Sequence, residues 1–120
     1  MLNVPTLPAA YVHGDITISG TATDPDGNLD AATSVTYTRT AQNNTANSQA
    51  SKALPLTGNN WEISDTGLND DTYTYTITAT DKAGHKATWP LITVVKDTTS
   101  PTIEISSITK IMALMITIAP

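Results

Sequence analysis

Three features of the sequence predict an all-β fold in which two antiparallel sheets pack as a sandwich. The segment Thr72 to Thr80, TYTYTITAT, alternates apolar residues and threonine without a break. Asp15 to Thr23, DITISGTAT, does the same, and no stretch carries the 3.6-residue period of a helix. Other short alternating runs recur between Gly-, Asn- and Pro-containing turns. Such spacing suits an immunoglobulin-like antiparallel sandwich of about seven strands in two sheets.

The elements follow in order. In the first strand, Ile16, Ile18, Gly20 and Ala22 share one face, and Thr17, Ser19, Thr21 and Thr23 the other. Val35 to Thr40 (VTYTRT) alternates likewise, whereas Ala41 to Lys52 is polar, has no apolar period and reads as a long loop. Leu54-Pro55-Leu56 reads as an edge strand, because proline donates no ladder hydrogen bond. The turn Thr57-Gly58-Asn59-Asn60 leads into a short strand at Trp61-Glu62-Ile63. In Thr72 to Thr80, Tyr73, Tyr75, Ile77 and Ala79 point inward and the threonines outward. Lys86 to Val95 returns as its hairpin partner. Ala87 and Trp89 are odd while Ile92 and Val94 are even, so a bulge is expected near Pro90.

The string T-A-T-D closes two of these strands, at Asp24 and at Asp81, and a Gly-containing turn follows each. In a sandwich of this type the second and sixth strands lie in opposite sheets and run in the same direction. The two aspartates are therefore expected at one pole, each in the inward phase of its strand. A carboxylate there needs partners, because an unpaired one is costly to desolvate. Two readings stay open. In one, each aspartate caps its own turn in Asx fashion. In the other, Asp24, Asp26, Asn28, Asp30 and Asp81 offer oxygens to calcium, which takes six to eight hard ligands at about 2.3–2.6 Å. The loop is not an EF-hand: Gly27 stands fourth, and the twelfth position is Val35 rather than Glu.

At this point the motifs resemble a known family. L-x-x-x-x-Y-T-Y-T-I-T-A-T-D-x-A-G, Leu68 to Gly84, is similar to the second half of bacterial immunoglobulin-like repeats, the stacked modules of large surface adhesins and biofilm-associated proteins. I-x-I-S-G-T-A-T-D, Ile16 to Asp24, resembles their first core strand, and Trp61 after Gly58 their central tryptophan. Asp97-Thr98-Thr99-Ser100-Pro101-Thr102-Ile103 resembles the linker into a following repeat. Two departures stand out: Asp70-Asp71-Thr72-Tyr73 where the family often has Asp-Gly-Thr-Tyr, and His85 where it often has Asn. The resemblance implies a non-catalytic extender module at the bacterial cell surface, with neighbouring modules of the same chain as its partners. It also implies calcium at module junctions, where Asp97 of one copy would approach Asp24 and Asp81 of the next. The export signal would lie elsewhere in a longer parent chain, and Met1 reads as an added residue.

On this reading residues 1–11 are a linker, residues 12–97 the sandwich, and residues 98–120 a linker with the start of a following module or a tail. The tail from Ile108 to Pro120 is apolar but too short to span a bilayer. One set of codons for Lys110 to Ala119, read in a shifted frame, gives D-N-G-T-D-D-N-Y-S, a polar start expected of another repeat.

Composition narrows the function classes. The formal net charge is −5 with six basic residues, so there is no cluster to neutralise nucleic-acid phosphates or to hold an anionic membrane. With no cysteine, disulfides, thiolate metal sites and thiol nucleophiles are excluded. His13 and His85 lie in no metal-ligand spacing, and no G-x-S-x-G elbow is present, so no catalytic residues are expected. Asn43-Asn44-Thr45 is a glycosylation sequon only in a eukaryotic secretory setting. Trp61 is expected in the core, Tyr73 as a tyrosine corner against the preceding turn, and Tyr11 and Tyr37 as partly exposed packing residues. Asp70 and Asp71 read as a solvated turn. An isolated module is expected to be monomeric. The alternative function is a ligand-binding module that recognises glycan or a host protein through Trp89, Tyr37 and the loop Ala41–Lys52.

Overall fold

The computed structural model describes residues 5–105. Met1 and the tail at Lys110–Pro120 lie outside them. The described residues form eight strands in two sheets and contain no helix beyond a single 3-10 turn at Thr45–Asn47. The strands are β1 (Tyr11–Val12), β2 (Ile16–Thr21), β3 (Val35–Ala41), β4 (Gln49–Ala53), β5 (Asn60–Asp65), β6 (Asp71–Thr80), β7 (Lys86–Thr88) and β8 (Ile92–Lys96).

One sheet holds six strands in the order β1-β8-β6-β3-β4, with β7 also on β6; the other pairs β2 with β5. The larger sheet is mixed, because β1 runs parallel to β8 while the other pairs are antiparallel. Their inward faces form one core. Ile16, Ile18, Trp61 and Ile63 come from the small sheet, and Val35, Tyr37, Tyr73, Tyr75, Ile77, Ala79, Ile92 and Val94 from the large one. Along β6 buried and half-buried residues alternate over its whole length, as the threonine pattern predicts.

The β6 partner strand is broken where the phase slips. Thr78 faces Thr88 while Tyr75 faces Ile92, so the pairing gains one residue across Trp89-Pro90-Leu91. Trp89 keeps its backbone bond to the Ile77 carbonyl at 2.9 Å and half-buries its ring against the core.

Three expectations need correction. The long loop Ala41–Lys52 contains the 3-10 turn and most of β4, which pairs with β3 as an edge strand. Four of the five β4 residues are exposed and none is fully buried, so no inward face imprinted a period on the sequence. Leu54-Pro55-Leu56 is not a strand but the crossing between sheets. The Leu54 amide donates to Val35 O at 2.8 Å and that of Leu56 to Ala31 O at 2.7 Å, while Leu54 is buried. Tyr11 is largely exposed, at 75%, whereas Tyr37 is buried and stacks on Tyr75 at 6.3 Å between ring centres. The tyrosine corner is present: the Tyr73 hydroxyl donates to Asn69 O at 2.6 Å.

Residues before β1 also join the fold. The Thr6 amide donates to Ser19 O at 2.6 Å, and Pro5 is buried beside Gly20. Gly20 faces Trp61 across the β2–β5 pair, and the indole lies over it. A Cβ there would stand 2.6 Å from Trp61 Cζ2 and 3.3 Å from the Pro5 Cα. Overpacking of this kind typically costs about 1–3 kcal/mol. Gly20→Ala is therefore expected to lose that much stability, read as a lower urea midpoint at unchanged m-value; an unaltered midpoint would contradict the packing described.

Candidate functional site

Strands β2 and β6 run in the same direction and finish side by side. The Lys82 amide donates to Asn28 O at 3.0 Å, which joins the two loops that follow them. This upstream pole thus gathers the turns of Asp24 and Asp81. Strand β8 runs antiparallel to β6 and β1 parallel to β8, so the chain comes in at this pole and leaves at the opposite, downstream one.

The carboxylates of the upstream pole are held by their own turns. Asp24 accepts from the Asp26 amide at 3.4 Å and the Asn28 amide at 3.1 Å. Gly27, at φ 68°, closes that turn by donating to Asp24 O. Asp81 is buried; its Oδ1 accepts from the Ala83 and His85 amides, and its Oδ2 lies 2.9 Å from His85 Nδ1. Burial on its own would raise the Asp81 pKa, but the bonds and charge from His85, with the Ala83 amide, hold it below the usual value. Asp30 accepts from the Ala32 amide at 2.9 Å, and that bond, followed by one from Thr33, lowers its pKa. Asp26 is exposed.

The loops of Asp24 to Asp30 and Asp81 therefore meet, and the carboxylates of Asp24, Asp30 and Asp81 are each engaged by amides of their own turns. Among the described residues no three His, Cys, Asp or Glu side chains form a group able to hold a metal ion. Asp97 lies at the downstream pole, where its amide donates to Val12 O and its Oδ1 accepts from the Thr99 amide. A cation shared by Asp24, Asp26, Asn28, Asp30 and Asp81 would compete with the amides that already bond Asp24, Asp30 and Asp81.

Parity marks a second set of charged residues that the turn motifs overlooked. Arg39 shares the inward phase of Val35 and Tyr37, and Asp65 that of Trp61 and Ile63. They meet across the two sheets at 2.9 Å, and the Tyr75 hydroxyl donates to Asp65 Oδ2 at 2.6 Å. Burial, followed by the Asp65 bond and charge, drives the Tyr75 pKa far above its ordinary value.

Asp71, in the inward phase of Tyr73, is buried rather than a solvated turn residue. Its carboxylate accepts from the amides of Asn43 at 2.9 Å, Asn44 at 3.0 Å and Thr72 at 2.7 Å, and from Asn47 Nδ2 at 3.3 Å. Burial alone would raise its pKa, but these donors together bring it down to about 2. Arg39 Nε also donates to Asn47 O, so the segment between β3 and β4 is pinned from two sides at the downstream pole. Its neighbour Asp70 accepts from the Thr98 amide and hydroxyl at 2.9–3.0 Å.

The described surface carries crevices. One of about 580 Å³ is lined by Thr6, Gly20, Pro55, Trp61 and Glu62, and one of about 290 Å³ by Asp24, Leu29, Leu56 and Asn59. Each is lined by a single titratable side chain, Glu62 or Asp24, which supplies no acid–base pair.

Comparison with known proteins finds no matching family model, no similar curated protein and no similar solved structure.

Two outcomes follow for the buried charges. Removing one partner of a buried pair typically costs about 3–5 kcal/mol because the other is left uncompensated. Arg39→Met is expected to lose that much stability, and the double change with Asp65→Leu less than the sum of the single changes; strict additivity in chemical denaturation would refute the coupling. The folded pKa of Asp71 lies below its ordinary 3.8, so its contribution is complete above about pH 4 and disappears as pH falls towards about 2. The stability gap between the wild type and Asp71→Asn should narrow across that window, and a gap independent of pH would contradict the assignment.

Proposed function

We propose that this chain is a non-catalytic spacer module of a repetitive bacterial surface adhesin, folded as an immunoglobulin-like sandwich. The observation that carries the reading is the placement of the chain's incoming and outgoing segments at opposite poles, along the strand axis. Copies joined in series then extend end to end without a turn in the path. The motif resemblance at Ile16–Asp24, Leu68–Gly84 and Asp97–Ile103, and the tyrosine corner at Tyr73, support the same reading. Its location would be extracellular.

Calcium enters this reading as a ligand of the junction rather than of the module. Each module presents Asp24 and Asp81 at one pole and Asp97 at the other, and only a following copy would bring them together. A module that recognises glycan or a host protein is the second reading. It loses one of its residues, because Tyr37 is buried against Tyr75. Trp89, half-buried in the β7–β8 bulge, keeps it open.

Small-angle scattering of two modules in tandem tests the spacer directly. The maximum dimension should approach twice that of one module, and two modules folded side by side would sink the proposal. Calcium should raise the melting temperature of the tandem and not of the single module. No response in either removes calcium while leaving the spacer intact. Quenching or enhancement of Trp89 fluorescence by a glycan would favour the second reading.

A further inference from the structure

The incoming and outgoing segments are paired with each other, and the pairing is parallel. Tyr11 faces Val95 and Val12 faces Lys96. The Val95 amide donates to Ala10 O at 2.9 Å and the Asp97 amide to Val12 O at 2.8 Å. Tension on the chain pulls β1 from its N-terminal end and β8 from its C-terminal end. Parallel strands loaded in that way slide along each other, and every bond between them is strained at once instead of in succession.

Lys96 adds a side-chain connection along the same line. It occupies the inward phase of Ile92 and Val94 and is buried, a position where an apolar residue would avoid the cost of desolvating an ammonium. Its Nζ crosses to the carbonyl of Gly14, just beyond β1, at 2.6 Å. Under tension Gly14 is drawn towards the upstream pole and Lys96 towards the downstream one, so this bond too is sheared. Outside it, Thr98 ties the outgoing chain to Asp70, next to the start of the central strand β6. On the incoming side the Thr6–Ser19 pairing attaches the chain to the other sheet.

We propose that β1 and β8 form a shear lock that makes the module resist stretching, with Lys96 as its bolt. The use of such a lock in an adhesin under flow rests on the spacer reading; the lock itself is a property of the fold. Forced unfolding follows the unfolding barrier rather than equilibrium stability, so bonds that must break before the first displacement govern it.

Single-molecule stretching in two geometries tests this. The chain has no cysteine, so replacing the exposed Leu91 with cysteine supplies one unique attachment point, at the N-terminal end of β8. Pulling from both chain termini shears β1 against β8. Pulling from the N-terminus and position 91 loads both strands at the same end and peels them apart. Release of Thr6 from Ser19 is common to both. The main rupture force should be at least twofold higher end to end, and Lys96→Met should reduce that force by a third or more while leaving the peeling force unchanged. Equal forces in the two geometries overturn the lock, a result that needs no variant other than the attachment site. Unequal forces that Lys96→Met changes in both geometries alike, or in neither, overturn the bolt. A weak lock would leave the spacer reading, which the tandem scattering decides, untouched.

Discussion

Strand β6 cannot slip by one residue without turning Tyr73, Tyr75, Ile77 and Ala79 into water and its threonines into the core. All four apolar residues are fully buried, and β3, β7 and β8 are all registered on this strand. Burying a large apolar side chain contributes about 1.5–3 kcal/mol, so the correct register is separated from its neighbours by several such terms. The bulge at Trp89-Pro90-Leu91 follows from the same constraint. It lets β7 and β8 each meet β6 in phase although the sequence between them is one residue out of step.

The core closes with polar contacts at the downstream end. Arg39, Asp65 and Tyr75 occupy inward positions where the apolar layer gives way, and each satisfies another. Asp71 does the same for the segment between β3 and β4, turning a polar stretch with no apolar face into an ordered edge. In a low-dielectric interior an unsatisfied member would be costly, which makes these groups geometrically exacting. The contacts of Asp65 with Arg39 and Tyr75 fix where the small sheet sits on the large one more sharply than apolar contact does, since hydrophobic burial is non-directional.

The two poles differ in construction. At the upstream one the aspartates take amides from the residues just after them, and a backbone bond from the Lys82 amide to Asn28 O joins the two turns. At the downstream one distant segments are tied together: Asp71 to Asn43 and Asn44, Asp70 to Thr98, Lys96 to Gly14. Local turns form without the rest of the fold, whereas ties between remote residues exist only once the sheets have assembled.

By itself the sequence determined the strands whose two faces differ. In β2, β5 and β6 one face is dry, and a period of two is imprinted on the residues. The meeting of the Asp24 and Asp81 turns was legible only with an assumed sandwich strand order, which supplies the strand directions, while T-A-T-D supplies the parity. Strand β4 left no such imprint, since its backbone pairs with β3 while its side chains stay largely in solvent. The mutual contacts of Arg39 with Asp65, and of Lys96 with Gly14, were decided only by the tertiary structure. Parity places each inward, but which inward groups meet depends on how two sheets are stacked and how the termini are paired, and no local periodicity encodes that.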